Sequence, residues 1–437
     1  MKILIIGSGA REHAIAKALH RSKYSPQIFC IGSSQNPGIK KLTINYATGN
    51  ICDAQFILNL AQSWQIDLAI IGPEAPLEKG IADILWENDI PTIGPKKKLA
   101  QIETSKKFTR DLLQKYQIPG SPVFQSFQNY HGVEDFLKKF GEGNYVIKAD
   151  GLMGGKGVKV AGDHLHSLQE AYAYCQELLT LNQTFVIEEK LIGQEFSLLY
   201  FCDGNILIPM PLIQDHKRAF IHDEGPNTGG MGSYSDANHS LPFVTKKDIA
   251  DAHHINNAML NALTKEYREK YMGIIYSSFM ATRDGVRLIE YNARFGDPEA
   301  MNALALLETD FVEICQAMVT GRLATLPIQF QPAATVCKYA VPEGYPDHPL
   351  KNEIIDISAI KNDDHLYLGA VEERDGKLYA TGSRAIAVLG VGSTITEAEK
   401  IAETEINKIR GKVFHRPDIG TENLIAKRIQ QMQELRQ

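Results

Sequence analysis

Three side chains that could bind a metal ion and a phosphate lie within five residues of one another. Glu290, Asn292 and Arg294 follow an apolar run, residues 286–289, that predicts a β-strand. Because side chains on a strand alternate between its faces, we expect the three to point the same way. Carboxylate and amide oxygens suit Mg²⁺, and a guanidinium suits phosphate oxygens. The stretch predicts a site for a metal-bound phosphate, although a solvated strand end with a salt-bridging arginine would use the same residues.

A second phosphate signal lies upstream. Lys148 ends a predicted strand, and Lys156 follows in a glycine-rich loop, residues 150–157. The glycines let backbone amides approach a polyphosphate closely, and the two lysines neutralise its charge. The spacing is not that of a P-loop, since no Gly-Lys-Ser/Thr opens a helix. The alternative is a flexible hairpin with two solvated lysines.

Two further segments concentrate polar groups. Residues 188–191 leave a predicted strand and offer backbone groups to a base, and Glu195 could accept bonds from a ribose. The loop 225–232 has four glycines and few apolar anchors, so we expect it to be disordered or held against a ligand. Charged residues, 215–218, precede that loop.

The elements that must position these groups begin with an alternation of strands and helices over the first hundred residues. Predicted strands at 2–6, 27–31, 67–71 and 91–93 indicate an open, doubly wound parallel sheet. Ligands of such sheets bind beyond the carboxyl ends of the strands, where Gly7-Ser-Gly9 and Gly72-Pro73-Glu74 lie. A nicotinamide site is disfavoured because Glu12 replaces the third glycine of the fingerprint and no acid ends the second strand.

The rest of the chain predicts two more units. An α+β region is followed, from about residue 333, by short strands between glycine, proline and aspartate turns. We therefore predict an N-terminal domain (1–103), a central domain (104–330) with a lid at about 123–193, and a small β-rich domain (331–437).

Composition bounds the function. The net charge of −6 and the pI near 6.1 argue against nucleic-acid binding. No apolar run approaches the ~18 residues of a membrane span, and the N-terminus is typical of a first strand rather than a signal peptide. The six cysteines have no Cys-x-x-Cys pair, which favours buried free thiols in a reducing, cytoplasmic compartment.

With these segments assembled, the chain resembles the ATP-grasp ligases and, more narrowly, the phosphoribosylamine–glycine ligase (glycinamide ribonucleotide synthetase) family. The matching segments run in the family's order along nearly the whole chain: GSGAREHA (7–14), GPEAPL (72–77), TSKKFT (104–109), IKADGLMGGKGV (147–158), IEEKLIGQE (187–195), QDHKRAF (214–220), GPNTGGMGSYS (225–235), EYNARFGDPEA (290–300) and RPDIG (416–420). GPNTGGMG together with RFGDPE is specific to this family. The resemblance implies ligation of glycine to 5-phosphoribosylamine in purine synthesis, through a glycyl phosphate, with ATP and Mg²⁺ or Mn²⁺.

The resemblance also implies residue roles on the nucleotide side. Residues expected to contact ATP are Lys106, Lys148, Gly154, Gly155 and Lys156 at the phosphates, Glu188, Glu189, Lys190 and Leu191 at adenine, and Glu195 at the ribose. Glu290 and Asn292 would bind the metal. Arg294, Asp297 and Lys156 are the predicted catalytic residues, with Arg294 stabilising the transferred phosphoryl group.

On the substrate side, the implied contacts come from four segments. They are Gly9, Arg11 and Glu12; Pro73 and Glu74; Asp215 and Lys217; and Asn227, Gly229 and Gly230, with Arg294 and Asp297 completing the set. The partners are small molecules, and we expect a monomer or a weak homodimer that binds neither nucleic acid nor membrane.

Two alternatives stay open on the residues. Another ATP-grasp carboxylate–amine ligase, with a different acid or amine, would share the same phosphate machinery. A non-catalytic nucleotide-binding regulator would need no metal pair beside a phosphoryl-stabilising arginine. The strand before the metal pair reads Tyr276-Ser277-Ser278-Phe279, without a carboxylate, so the sequence assigns no third protein ligand to a second metal ion.

Overall fold

The N-terminal quarter of the chain is built on a parallel five-stranded sheet. The computed structural model describes residues 1–153 and 157–437. The sheet has the order β3-β2-β1-β4-β5, with β1 (Lys2–Ile6), β2 (Gln27–Gly32), β3 (Asn45–Thr48), β4 (Leu68–Ile71) and β5 (Thr92–Ile93). Its central strands are continuous apolar runs because helices cover both faces. The helices are α1 (Ala10–His20), α2 (Pro37–Leu42), α3 (Ala54–Ser63), α4 (Glu74–Glu78), α5 (Ile81–Glu87) and α6 (Lys97–Thr104).

The strand order changes direction between β1 and β4, which makes a crevice at their carboxyl ends. The loops at this switch point are Gly7–Gly9 and Gly72–Pro73, the two glycine turns of the sequence. The doubly wound parallel sheet is therefore confirmed. Two helices, α6 and α7 (Lys106–Lys115), follow one another directly after β5. Ser105 separates them, and its hydroxyl caps the second.

A small unit with its own hydrophobic core follows α7. Its antiparallel sheet has the order β6-β9-β7-β8, with β6 (Phe124–Phe127), β7 (Tyr145–Ala149), β8 (Val158–Val160) and β9 (Phe185–Glu189). Helices α8 (Val133–Phe140) and α9 (Leu168–Thr180) pack against it. The core of this unit is a hydrophobic cluster separate from the main one, and we call the unit the lid.

The floor beneath this lid is a second antiparallel sheet, β11-β10-β16-β17. Its strands are β10 (Gln194–Asp203), β11 (Leu207–Pro209), β16 (Met272–Thr282) and β17 (Gly285–Asn292). Between them lie β12 (Gln214–Asp215), β13 (Arg218–Phe220), β14 (Glu224–Asn227), β15 (Gly232–Ser235) and α10 (Lys246–Tyr267), and α11 (Glu299–Leu306) and α12 (Phe311–Thr320) follow. Short 3₁₀ turns cover Ile221–Asp223 and Leu323–Thr325.

The C-terminal segment adds antiparallel strands to the body of the molecule. Its elements are β18 (Ala334–Pro342), β19 (Ile354–Asp356), β20 (Leu366–Leu368), β21 (Val371–Arg374), β22 (Lys377–Ala380), β23 (Ile386–Gly392), α13 (Ile395–Ile406), β24 (Arg410–Gly411), β25 (Val413–Phe414) and α14 (Glu422–Leu435). One sheet joins β12 and β15 to β18, β23 and β20, so it crosses the predicted boundary near residue 330. The boundary itself stays a prediction.

No helix over residues 1–153 and 157–437 is both long and apolar enough to cross a membrane. Five of the six cysteines are buried, and all six are free thiols.

Candidate active site

Glu290 and Asn292 lie at the end of β17, on the floor of the cleft beneath the lid. Ser278 of β16 is paired with Glu290, and its hydroxyl donates to Glu195 Oε1 at 2.7 Å from the next strand. Loss of hydration raises the pKa of Glu290. The positive charges around it have the larger effect and hold that pKa below its usual range; they belong to Lys217, Lys148, Lys106 and Arg294. Glu290 is thus a carboxylate surrounded by cationic side chains, an arrangement that a site for a metal polyphosphate would require.

Lys148 reaches from the lid to this floor. Its ammonium lies 2.7 Å from Glu188 Oε2 and donates to the carbonyl of Ile289 at 3.1 Å, directly before Glu290. Arg110 of α7 completes the contact, with Nε 2.6 Å from Glu188 Oε1. The side chain of Glu188 is therefore committed to two buried cations, and a base could meet only the backbone of this residue.

The adjacent residues of the predicted adenine segment also use their side chains within the protein. Glu189 Oε1 accepts from the backbone of Val123 at 2.9 Å, and Lys190 donates to the carbonyl of Ala161 at 2.6 Å. Leu191 is half-buried, at the junction between the lid and β10. What this segment presents to a ligand is its backbone and one leucine side chain.

Lys106, at the first turn of α7, donates to the carbonyl of Gly151 at 2.9 Å. The pKa of Lys106 is lowered, because the effect of burial exceeds the opposing effect of the Glu290 charge. Gly154, Gly155 and Lys156, the core of the predicted phosphate loop, lie outside the described residues. Lys106 and Lys148 are thus the two predicted phosphate-binding lysines that the structure places beside Glu290.

Lys217 connects the two carboxylates of the floor. Its ammonium lies 2.5 Å from Glu195 Oε1 and 3.9 Å from Glu290 Oε1. Burial lowers the pKa of Lys217, but these two carboxylates and Asp215 raise it above its usual range. Sequence reasoning placed Lys217 with the substrate and Glu195 with the ribose, and the structure makes them one ion pair.

Asp215 lies behind Lys217 in an acidic environment. Burial and the charge of Glu299 raise the pKa of Asp215 well above its usual range, and its Oδ1 accepts no hydrogen bond from the described residues. Glu299 is buried and accepts from the hydroxyl of Tyr276 at 2.7 Å. An ammonium group entering here would satisfy Asp215.

Arg294 follows β17 and joins the floor to the N-terminal sheet. Its guanidinium lies 2.9 Å from Glu103 Oε1 and 3.2 Å from Glu74 Oε2, and it donates to Asn292 Oδ1 at 3.1 Å. Burial lowers the pKa of Arg294, but the negative charges of Glu103 and Glu74 have the larger effect and raise that pKa above its usual range. The guanidinium therefore stays charged. Glu290, Asn292 and Arg294 are adjacent as predicted, but Arg294 lies beyond the strand, not on it.

The glycine turn after β1 is held by Glu12. Its carboxylate accepts from the backbone of Gly9 at 2.6 Å and from Arg11 Nε at 2.6 Å, and Arg11 also donates to the carbonyl of Phe295 at 3.2 Å. Pro73, the N-cap residue of α4, lies beside this turn. These residues line a cleft of about 300 Å³ between the N-terminal sheet and the C-terminal segment.

Asp297 forms the opposite wall of this cleft, which we call the N/C cleft. Tyr339 donates to Asp297 Oδ1 at 2.5 Å, and Arg384 Nη1 lies 3.1 Å from the same oxygen. Asn227 is half-buried on the β13–β14 hairpin, and Gly229 and Gly230 follow it. The loop 225–232 is thus fixed by protein contacts, including bonds from Arg384 to both glycine carbonyls.

The donors at Glu290 and Asn292 fit a magnesium ion that takes most of its ligands from phosphates and water. Within residues 1–153 and 157–437, no three carboxylate, histidine or cysteine side chains converge as a protein cage would. Glu195, on β10, brings a second carboxylate to the same face of the floor. The sequence did not predict that Glu195 lies near Glu290, because the two carboxylates belong to different strands.

Several residues of the site had no signal in the sequence. Glu103 lies inside an ordinary helix, Arg110 inside another, and Tyr339 and Arg384 in a region of short strands. Glu299 is the exception, because it belongs to the motif EYNARFGDPEA (290–300). A role for Glu299 in the site could have been predicted from that motif. The others are brought in by tertiary contacts between segments that lie 42 to 190 residues apart in the chain.

Comparisons with known proteins cover nearly all of the chain. The models described as phosphoribosylglycinamide synthetase N domain, ATP-grasp (A) domain and C domain match residues 1–103, 104–300 and 335–422. The chain is 48% identical to a phosphoribosylamine–glycine ligase of Methanosarcina barkeri, over the full length of both. The crystal structure of the Thermotoga maritima phosphoribosylamine–glycine ligase superposes with a TM-score of 0.82 at 28% identity, over 96% of this chain and all of that one.

The biotin carboxylase domain of Hydrogenobacter thermophilus 2-oxoglutarate carboxylase, solved with magnesium ADP and bicarbonate, superposes with a TM-score of 0.69. It is 13% identical, over 99% of this chain and 93% of that one, and so shows a shared fold alone.

Proposed function

Because the chain belongs to the phosphoribosylglycinamide synthetase family, we propose that it joins glycine to 5-phosphoribosylamine at the cleft between floor, lid and N-terminal sheet. It is an ATP-dependent, ADP-forming ligase of purine biosynthesis.

The observation that carries the proposal is the position of Arg294. It contacts Asn292, on the side where Lys106 and Lys148 face Glu290, and Glu74, on the side of the N/C cleft. One guanidinium therefore connects a polyphosphate site with a second-substrate site. A group transferred from ATP to one substrate and then displaced by another must pass through such a junction.

The chemistry has two steps. A carboxylate oxygen of glycine attacks the γ-phosphorus of ATP, the bond to the bridging oxygen breaks, and ADP leaves with that oxygen. The amine of phosphoribosylamine then attacks the glycyl carbonyl, phosphate leaves with the former carboxylate oxygen, and the nitrogen loses a proton. Both steps develop negative charge on phosphoryl oxygens, so fixed cations are the main catalytic groups.

The residues divide this work. Lys106 and Lys148, with Lys156, Gly154 and Gly155, neutralise the phosphates, and the backbone of residues 188–191 holds adenine. Glu290 and Asn292 would hold Mg²⁺ or Mn²⁺, which would supply positive charge to neutralise the phosphates. Arg294 stabilises the transferred phosphoryl group, and Asp215 accepts the ammonium group of glycine.

The second substrate occupies the N/C cleft. Gly9, Arg11, Glu12 and Pro73 form one wall of it, and Asp297 with the 229–230 loop forms the other. We further propose that the enzyme works in the cytoplasm as a monomer or weak homodimer, with residues 1–103, 104–330 and 331–437 as its domains.

An isotope experiment tests this scheme. Glycine labelled with ¹⁸O in its carboxylate is supplied with ATP, Mg²⁺ and freshly generated phosphoribosylamine, and the products are analysed by mass spectrometry. The proposal predicts one ¹⁸O in each phosphate released and a glycinamide product. L-Alanine with the same label serves as the matched substrate control. Unlabelled phosphate, or equal turnover of alanine, would contradict the acyl phosphate route or the glycine assignment.

A further inference from the structure

Arg384, from the C-terminal segment, joins two loops that the site uses. Its Nη1 lies 2.8 Å from the carbonyl of Gly229, 3.2 Å from that of Gly230 and 2.7 Å from that of Asp297. The same atom lies 3.1 Å from Asp297 Oδ1. A single guanidinium thus fixes the spacing between the 229–230 loop and the loop that carries Asp297.

Tyr339 supports this arrangement from below. Its ring lies under the Arg384 guanidinium, 4.7 Å from centroid to Cζ, and its hydroxyl donates to Asp297 Oδ1 at 2.5 Å. The neighbouring carboxylate of Asp297 raises the pKa of Arg384 above its usual range, although burial opposes it. Oδ1 of Asp297 is therefore held from two sides by groups that stay protonated.

The other carboxylate oxygen of Asp297 is directed elsewhere. A methyl group built on Gly9 would lie 3.9 Å from Asp297 Oδ2, so this oxygen faces the glycine turn across the N/C cleft. It accepts no hydrogen bond among the described residues. Arg384 and Tyr339 line the same cleft as Gly9, so the held carboxylate and its free oxygen share one cavity.

We propose that Arg384 is a positioning residue for the amine substrate. Together with Tyr339 it orients Asp297 so that Oδ2 accepts a hydrogen bond from the amine or a ribose hydroxyl of phosphoribosylamine. The inference rests on the proposed function, because it names the group that this substrate meets. Neither residue touches the nucleotide side of Arg294, so the effect is confined to the second substrate.

The test uses steady-state kinetics of the full-length protein, with each substrate varied in turn. Arg384→Ala should raise the KM for phosphoribosylamine about tenfold or more, the loss of one charge-assisted hydrogen bond. The KM for ATP should change less than about twofold, since the nucleotide contacts are intact. Arg384→Lys should recover part of the loss, and Tyr339→Phe should show a smaller increase of the same kind.

The matched control is Arg374→Ala. Arg374 also lies over a tyrosine ring in the C-terminal segment, 4.8 Å from Tyr379, but it is exposed and lies outside the N/C cleft. Its removal should leave all three KM values unchanged. Added guanidinium ion, at concentrations below those that unfold the control, should restore part of the rate of Arg384→Ala only, a result that a merely structural role would not give.

The outcomes separate the two claims. An unchanged KM for phosphoribosylamine in Arg384→Ala, or equal losses for ATP and phosphoribosylamine without guanidinium rescue, would overturn the positioning role. If Arg384→Ala does not fold, Arg384→Lys and Tyr339→Phe decide by the same criterion. A wild-type protein that does not ligate glycine to phosphoribosylamine would instead overturn the proposed function itself.

Discussion

Arg294 Nε lies 3.2 Å from Glu74 Oε2, which joins the end of β17 to the start of α4. The charge of Arg294 lowers the pKa of Glu74 to about 2 despite burial. The two side chains are 220 residues apart in the sequence: Glu74 opens a helix, and Arg294 lies just after a strand. Their contact places the end of β17 against the mouth of the N/C cleft.

Replacing Arg294 should remove the chemical step while leaving nucleotide binding largely intact. We expect Arg294→Met to lower kcat by about 10²–10³-fold, the usual cost of losing one donor to a developing oxyanion. Phosphate release in the presence of both substrates is the measurement. Arg283→Met, exposed in the turn between β16 and β17, is the control and should keep full activity. Comparable turnover in the two variants would remove Arg294 from the catalytic role.

Glu290 should determine the response to metal. Glu290→Gln keeps the size and one oxygen but loses the charge, so the Mg²⁺ concentration for half-maximal rate should rise about tenfold or more. The rate is measured against Mg²⁺ at fixed ATP. Glu308→Gln, which changes an exposed acid, should reproduce the wild-type curve. If both variants overlay the wild type, the metal is held elsewhere.

The Arg110–Glu188–Lys148 cluster should make stability depend on pH in acid. Its cations lower the pKa of Glu188 from 4.5 to about 2, although burial opposes them. The stabilisation is therefore complete above about pH 4.5 and is lost as the pH falls towards 2. Glu188→Gln leaves two buried cations unpaired and should cost about 3–5 kcal/mol at pH 7.

Urea unfolding at a series of pH values between 7 and 2.5 checks this prediction. The difference between wild type and Glu188→Gln should shrink over the acid part of the series. Glu134→Gln, which removes an exposed pair with Lys138 at 3.4 Å, should stay within about 0.5 kcal/mol of wild type throughout. A constant difference between wild type and Glu188→Gln down to pH 2.5 would argue against the ion pair as its source.

Gly72 should tolerate no side chain because of Glu12. A Cβ at this position would lie 1.9 Å from Glu12 Oε1 and 2.5 Å from its Cδ. Gly72→Ala should therefore displace the carboxylate that holds the Gly9 turn, and raise the KM for phosphoribosylamine more than that for ATP. The double variant Gly72→Ala/Glu12→Ala relieves the clash. If it is no more stable than Gly72→Ala alone in thermal unfolding, the steric explanation is wrong.

The sequence predicted those parts of the fold that depend on local pattern. Apolar runs such as Lys2–Ile6 and Leu68–Ile71 identified the buried parallel strands, and the resemblance built on motif order is confirmed by the family matches. Strand β3 was not predicted, because Asn45–Thr48 is short, polar and only partly buried. Its four residues are held in the sheet by parallel pairing with β2, a contact that no local pattern reports.

The part of the site that was predicted also depends on local sequence pattern. Glu290, Asn292 and Arg294 are neighbours in sequence, so their adjacency followed from strand geometry and a short loop. Arg384 and Glu103 reach the site only through the packing of distant segments, which no spacing rule reports. The ion pair between Glu188 and Arg110 could not be predicted from the sequence either, since acidic residues beside a strand end usually face solvent.

The most direct test of the central claim is phosphate release from ATP and Mg²⁺, with glycine and freshly generated phosphoribosylamine added singly and together. We expect rapid release only when both substrates are present, with one glycinamide ribonucleotide formed per phosphate. Release that proceeds equally with neither substrate, or that requires a different amino acid, would contradict it.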